Sequence, residues 1–118
     1  MTQEEKELLL KDLFARLPYG AFVQFEVDGQ KAIKPLTVDF LSSTWYHTEW
    51  IKPYLRPMNS MTREEEAYDR YYTSRIRDGI YGSIDEYIDW LSKKGFDFRH
   101  LIPKGLALEA PEDMYHLN

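Results

Sequence analysis

Ala21-Phe-Val-Gln-Phe-Glu-Val-Asp-Gly-Gln-Lys-Ala-Ile33 is the stretch that decides the fold. Val23, Phe25 and Val27 alternate with Gln24 and Glu26, and a period of two puts the apolar set on one face of a half-buried strand. Asp28-Gly29 follows at once. That dipeptide marks a two-residue type I′ turn, because both central residues need positive φ. The return strand then runs through Ala32 and Ile33. Pro35 has no amide hydrogen to give to a ladder, so it predicts an edge position or a break. Leu36-Thr-Val-Asp-Phe-Leu41 is apolar enough to be predicted as a third strand or a continuation of the second.

A helix is predicted on the N-terminal side of this β region. Thr2-Gln-Glu-Glu5 is a capping box, in which the Thr hydroxyl accepts from an early amide while the Glu side chain reaches back. Leu9, Leu10, Leu13, Phe14 and Leu17 recur at helical spacing and are assigned to one buried side. Pro18-Tyr-Gly20 stops the helix, giving a helix over 1–17 and a β hairpin or sheet over 21–41.

Residues 42–61 are irregular and rich in rings: Trp45, Tyr46, Trp50 and Tyr54. Thr48 is suited to cap a short helix reaching Tyr54, with Pro53 limiting its length. Pro57 and Asn59-Ser60 mark a connection. Residues 62–118 are predicted to be mainly helical. Thr62-Arg-Glu-Glu65 is a second capping box, opening a helix with Tyr68, Tyr72 and Ile76 in line and Glu66 and Arg70 as an exposed pair. Gly79 and Gly82 bracket a turn. Ser83-Ile-Asp-Glu86 is a third box, before a stripe of Ile84, Tyr87, Ile88 and Leu91 with Trp90 beside it. Gly95 suits the left-handed position just past a helix. Asp97 caps a further short turn that Gly105 closes, Leu106-Ala-Leu108 is extended, and the polar tail after Pro111 is expected to fray. Residues 1–118 are therefore predicted as a single α+β domain: N-terminal helix, small antiparallel β-hairpin or sheet, then three or four short helices packed on it.

Composition bounds the function classes. At 118 residues, 43% apolar and 30% charged, the chain has the balance of an ordinary soluble domain. Nine Tyr, six Phe and three Trp give it an aromatic share of 15%, enough to build a core from few residues. It has no cysteine, which excludes disulfides, thiolate metal sites and a thiol nucleophile. The N-terminus is acidic, and no apolar run approaches the roughly 20 residues of a membrane span, so the expectation is a cytoplasmic protein with no membrane partner. Net charge is −5; residues 1–60 carry 7 basic and 8 acidic groups, residues 61–118 carry 8 and 12. An acidic balance argues against binding to phosphate backbones, so no nucleic acid is expected.

Two blocks, one at the middle of the chain and one near its C-terminal end, stand out as motifs. The first is Lys52-Pro-Tyr-Leu-Arg-Pro-Met58, with Ser60-Met-Thr62 and Glu64-Glu65. The second is Trp90-Leu91, Phe96-Asp97, Arg99, Leu101-Ile102 and Lys104-Gly-Leu-Ala-Leu-Glu-Ala-Pro-Glu112, ending in Met114-Tyr115. Together they resemble a family of small uncharacterised proteins of gut Bacteroidales genomes, including their prophages and mobile elements. The match covers roughly the C-terminal 65 residues and the first half only loosely. The family pattern often carries two histidines before the Phe-Asp step, where this chain has Lys93-Lys94-Gly95, which removes one metal site. The resemblance implies an origin and no assigned activity.

The chemistries a sequence can announce are absent. His47, His100 and His116 lack zinc spacing, so no metal and no cofactor is expected. Asp85 with Asp89, and Glu64-Glu65-Glu66, lie in first turns of predicted helices, where the positive dipole end favours acids without any catalysis. There is no Gly-x-Ser-x-Gly turn and no glycine-rich phosphate loop. No catalytic residue is assigned. What remains is an aromatic segment, and aromatic side chains are enriched in interface cores. The leading expectation is a non-enzymatic protein–protein interaction or accessory module, engaging a protein partner or its own copy through Trp45, Tyr46, Trp50 and Tyr54. The first alternative is a small-ligand binder or minor enzyme with a pocket near Trp50, Trp90, Asp97 and Arg99; Arg99 there is more simply one half of an internal ion pair. The second alternative is an acidic anti-defence protein.

Overall fold

A computed structural model describes residues 1–115. Its first helix, α1 (Gln3–Arg16), begins as the sequence predicts. Thr2 Oγ1 accepts from the Glu5 amide at 3.1 Å, and the Glu5 carboxylate accepts from the Thr2 amide at 2.8 Å. The hairpin follows: β1 (Phe22–Val27) and β2 (Gln30–Pro35) pair antiparallel from Val27↔Gln30 to Phe22↔Pro35. Asp28 (φ 51°) and Gly29 (φ 79°) make the turn. All six residues of β2 are exposed, and it lies at the sheet edge. Lys31, Lys34 and Pro35 on that edge discourage a further strand from pairing there.

Leu36–Leu41 is not a strand. The chain turns into α2 (Val38–Thr44), because Thr37 accepts the Phe40 amide on its hydroxyl at 3.1 Å and caps the helix. Leu36 stays buried in the connection, its amide bonded to the Ala21 carbonyl. The aromatic segment also departs from expectation. Thr48–Trp50 forms a single 3₁₀ turn, and Ile51–Leu55 is a strand, β3, in the middle of the sheet. Pro53 is tolerated because the pairing changes sides around it. β3 pairs antiparallel with β1 over Ile51–Pro53, then parallel with β4 (Leu108–Glu109) from Tyr54 on. The sheet is thus mixed, in the order β2-β1-β3-β4. Leu9 and Leu13 of α1 pack with Val23, Ile51, Leu55, Leu101 and Leu106 in the main core. Each such side chain contributes about 2 kcal/mol of apolar burial.

The remaining helices form a pair, α3 (Arg63–Arg77) and α4 (Ser83–Lys93). The Thr62–Glu65 capping box of α3 is present. The third box is not: Gly82 (φ 78°) is the N-cap of α4, and Ser83 is buried inside the first turn. Ile84 is likewise exposed rather than on the buried stripe, which runs through Trp90 and Leu91. These two join Phe96 in a second cluster, with Met58, Met61, Tyr72 and Tyr87 against it. The α3–α4 pair packs on α1 through α4 and is tied to the end of β3 through Arg56. The molecule measures 48 × 29 × 26 Å, with a radius of gyration of 14.9 Å, against about 13.5 Å for a compact chain of this length.

The two sequence blocks meet in space. The Arg56 amide donates to the Gly95 carbonyl at 2.7 Å, and the Asp97 amide donates to the Arg56 carbonyl at 2.8 Å. Gly95 (φ 79°) ends α4 in a Schellman turn: Phe96 bonds back to Leu91, Gly95 to Ser92. The tail does not fray as far as Tyr115. Its hydroxyl donates to the Tyr54 carbonyl at 2.7 Å and accepts from the Phe22 amide at 3.0 Å. A β-carbon on residue 95 would lie 3.2 Å from that ring. Gly95→Ala is therefore expected to lower stability by about 2 kcal/mol, the left-handed penalty plus the displaced ring. Gly79→Ala has a similar φ of +71° and nothing within 4 Å, so it should cost about half as much by urea denaturation. Equal losses would mean that Tyr115 does not rest on Gly95.

Candidate functional site

α1 carries more apolar residues than one face can bury. Leu9 and Leu13 point into the core together with Asp12 and Arg16, all four fully buried. Leu10, Phe14 and Leu17 lie about 100° around the helix, and Phe14 is 56% exposed. On α2, Leu41 faces inward while Val38 and Trp45, three residues before and four after it, stay 66% and 50% exposed. The two stripes face each other. Between them runs an open apolar groove of about 480 Å³, lined by Leu10, Phe14, Leu17, Val38, Leu41 and Trp45 with Ser42 at its side. The sequence pattern alone puts Phe14 on a buried helix side and Val38 in a strand; the surplus of apolar positions on α1 is the clue to an outward-facing stripe.

The aromatic segment runs from this groove to the core. Trp45 meets Tyr46 edge to face at 5.8 Å, Tyr46 meets His47 at 4.6 Å, and His47 stacks on Trp50 at 3.8 Å and 17°. Trp50 then meets Phe25, which meets Phe40. Trp45 and Tyr46 are presented to solvent, Tyr46 at 58%. Trp50 is half-buried. Tyr54 is half-buried on β3, its carbonyl held by Tyr115. His47 Nδ1 sits 3.2 Å from Glu49, whose carboxyl is held below its usual range by a backbone hydrogen bond first and by His47 second.

The four residues of the pocket reading are not brought together. Trp50 belongs to the Phe25 cluster, and Trp90 packs among Tyr68, Tyr72, Tyr87 and Phe96. Asp97 is buried and accepts from the Leu101 and Ile102 amides at 2.8 and 2.9 Å, the cap expected of it. Arg99 donates to Asp12 at 2.8 Å and lies over the Phe98 ring, 4.3 Å from its centroid. Asp12 also accepts from Arg16 through Nε at 2.8 Å and Nη2 at 2.9 Å, while that Nη2 donates to the Phe96 carbonyl at 2.6 Å. Arg99 is thus half of an internal ion pair. Its partner was not foreseen, because Asp12 and Arg16 look like an ordinary surface pair one helical turn apart.

A second ion pair locks α3 to β3. Arg56 grips Glu65 through two hydrogen bonds of 2.7 and 2.8 Å and lies over Phe96. Burial acts to raise the Glu65 carboxyl, but the Arg56 and Thr62 hydrogen bonds outweigh it and hold the group below its ordinary 4.5. A folded value below the unfolded one stabilises the protein above pH 4.5 and loses that stabilisation as pH falls through the folded value. Glu65→Gln is expected to flatten the decline in stability as the pH falls below about 4.5. Identical slopes for both proteins in urea titrations would remove the ion pair from the account. A hollow of about 350 Å³ opens beside Arg56, Ser60, Thr62, Glu109 and Tyr115, but its guanidinium is already committed to Glu65.

Among the described residues, no three His, Asp or Glu side chains are placed to hold a metal ion. His116 lies outside the described residues. No helix of the described chain is long and apolar enough to cross a membrane. Comparison with known proteins yields no match to this chain, whether by family model, among curated proteins or among solved structures.

Proposed function

We propose that this chain is a protein-binding module that seats an amphipathic helix of a partner protein in the α1–α2 groove. The observation that carries the reading is the pair of facing apolar walls, Leu10-Phe14-Leu17 and Val38-Trp45, both at helical spacing, over a floor that includes buried Leu41. Two such walls form the track into which a third helix packs its own i, i+3/i+4, i+7 residues. With aromatic side chains offering roughly 150–250 Å² each, the exposed parts of Phe14, Trp45, Tyr46 and Val38 sum to roughly 400 Å². Patches of that size on a monomer are often functional. A stable interface needs roughly 800 Å² per partner, and exposed Glu7 and Lys11 on α1, one helical turn from Leu10 and Phe14, with exposed Asp39 next to Val38 on α2, put charges of both signs on the two helices. The setting fitted to such an accessory role is a cytoplasmic one, and the two sequence blocks favour a prophage or mobile-element origin.

The anti-defence reading draws less support. On α3, Arg63, Arg70, Arg75 and Arg77 balance Glu64, Glu65, Glu66 and Asp69, so that helix presents no anionic track. Display selection of short peptides against the folded chain tests the proposal. Recovered binders should share apolar residues at helical spacing and compete with one another for one site. Recovery of only extended or proline-rich sequences would sink the helix assignment.

A further inference from the structure

The α3–α4 arm ends in a turn of unusual composition. Turns favour Gly, Asn, Asp and Ser, yet between Gly79 and Gly82 this one carries Ile80 and Tyr81. Tyr81 is 99% exposed, and Ile84 beside it is 58% exposed. The turn is not a loose loop. Gly79 bonds back to Ile76 at 3.0 Å, Ile80 to Arg75 at 3.0 Å, and Ser83 to Ile80 at 3.1 Å. Next to the projecting tyrosine lies a shallow hollow of about 400 Å³, walled by Ile76, Ile80 and Ile84. A rigid apolar knob and an apolar hollow therefore sit side by side on one surface.

We infer that the tip of the α3–α4 arm is a self-association surface, on which a second copy of this chain docks so that Tyr81 of each copy enters the isoleucine hollow of the other. A two-fold axis makes one patch complementary to itself when knob and hole are adjacent, since each contact is then made twice. The charges around the tip permit it. Arg77 and Asp78 end α3, Asp85 and Glu86 begin α4, and Glu86 is paired with Arg75 at 3.5 Å, so the tip carries both signs with a small acidic excess that salt screens. Nearly all of Tyr81 with about half of each exposed isoleucine amounts to roughly 400 Å² per copy. Doubled and rimmed by polar contacts, that comes close to the roughly 1,000 Å² at which specific interfaces begin. The association is accordingly weak, with a Kd of about 10–100 μM.

Sedimentation velocity over a concentration series reads it directly. The wild-type chain should pass from monomer to dimer with a Kd in that range. Tyr81→Arg should weaken the dimer at least tenfold with an unchanged circular dichroism spectrum, since the side chain is free of contacts to lose. Phe14→Asp in the α1–α2 groove should leave the dimer intact, which separates this inference from the proposed function. A chain that stays monomeric throughout the series, or a dimer that Tyr81→Arg does not weaken, would overturn it.

Discussion

Replacing Asp12 by alanine is expected to cost about 3–5 kcal/mol, the penalty for leaving a buried charge without its partner. Domains of this kind are stable by about 5–15 kcal/mol, so the variant would lose a large share of its stability. Asp12 and Arg16 are both fully buried, and Asp12 accepts three hydrogen bonds from two guanidinium groups. Without the carboxylate, Arg16 keeps the Phe96 carbonyl and little else, and its Nη1 already lacks a protein partner. Arg99 is partly exposed, with 12% of its side chain open to water, and Asp12 would still hold Arg16 in its absence. Arg99→Ala should therefore cost less, about 1–2 kcal/mol. The double variant Asp12→Leu with Arg16→Met should lose far less than the two single changes added together, because no fully buried charge is left stranded and only the partly exposed Arg99 loses its partner. Urea midpoints at an unchanged m-value measure all of these. An Asp12→Ala cost below about 1 kcal/mol would show the pair to be solvated, as surface pairs are.

The second large effect is on binding. Phe14→Asp combined with Trp45→Asp is expected to weaken a helical ligand of the groove at least a hundredfold, about 2.7 kcal/mol. Both side chains are half exposed on opposite walls, the arrangement in which aromatic anchors dominate an interface. A carboxylate on each wall also places charge where the ligand presents an apolar face, and burying it unpaired is costly. Because neither ring belongs to the buried core, the urea midpoint of the double variant should change little. A loss of binding that came with a loss of folding would be no test, so the two measurements belong together.

What could be foreseen in the sequence was whatever is decided locally. The Asp28-Gly29 turn, the capping boxes at Thr2 and Thr62, the Asp97 cap and the Gly95 helix end each depend on residues within a few positions of one another. What escaped was decided at a distance. Ile51-Lys-Pro-Tyr-Leu55 is a strand because β1 takes one side of it and β4 the other, and β4 lies more than fifty residues later. Asp12 is buried because Arg99 arrives from 87 residues away. Val38 is helical because the Thr37 hydroxyl catches the Phe40 amide, a cap hidden in an apolar run that resembles a strand. The same mechanism explains the candidate site. Trp45 and Tyr46 were visible as unusual residues, whereas the groove needs α2 to exist and Phe14 to point outward.

Mapping a selected helical peptide onto the isotope-labelled chain by NMR tests whether the α1–α2 groove seats a helix. Saturable shifts are expected at Leu10, Phe14, Val38, Leu41 and Trp45, lost in the Phe14→Asp, Trp45→Asp variant while the rest of its spectrum stays that of the folded protein. Saturable shifts that map to another face, or that persist in the variant, would contradict it.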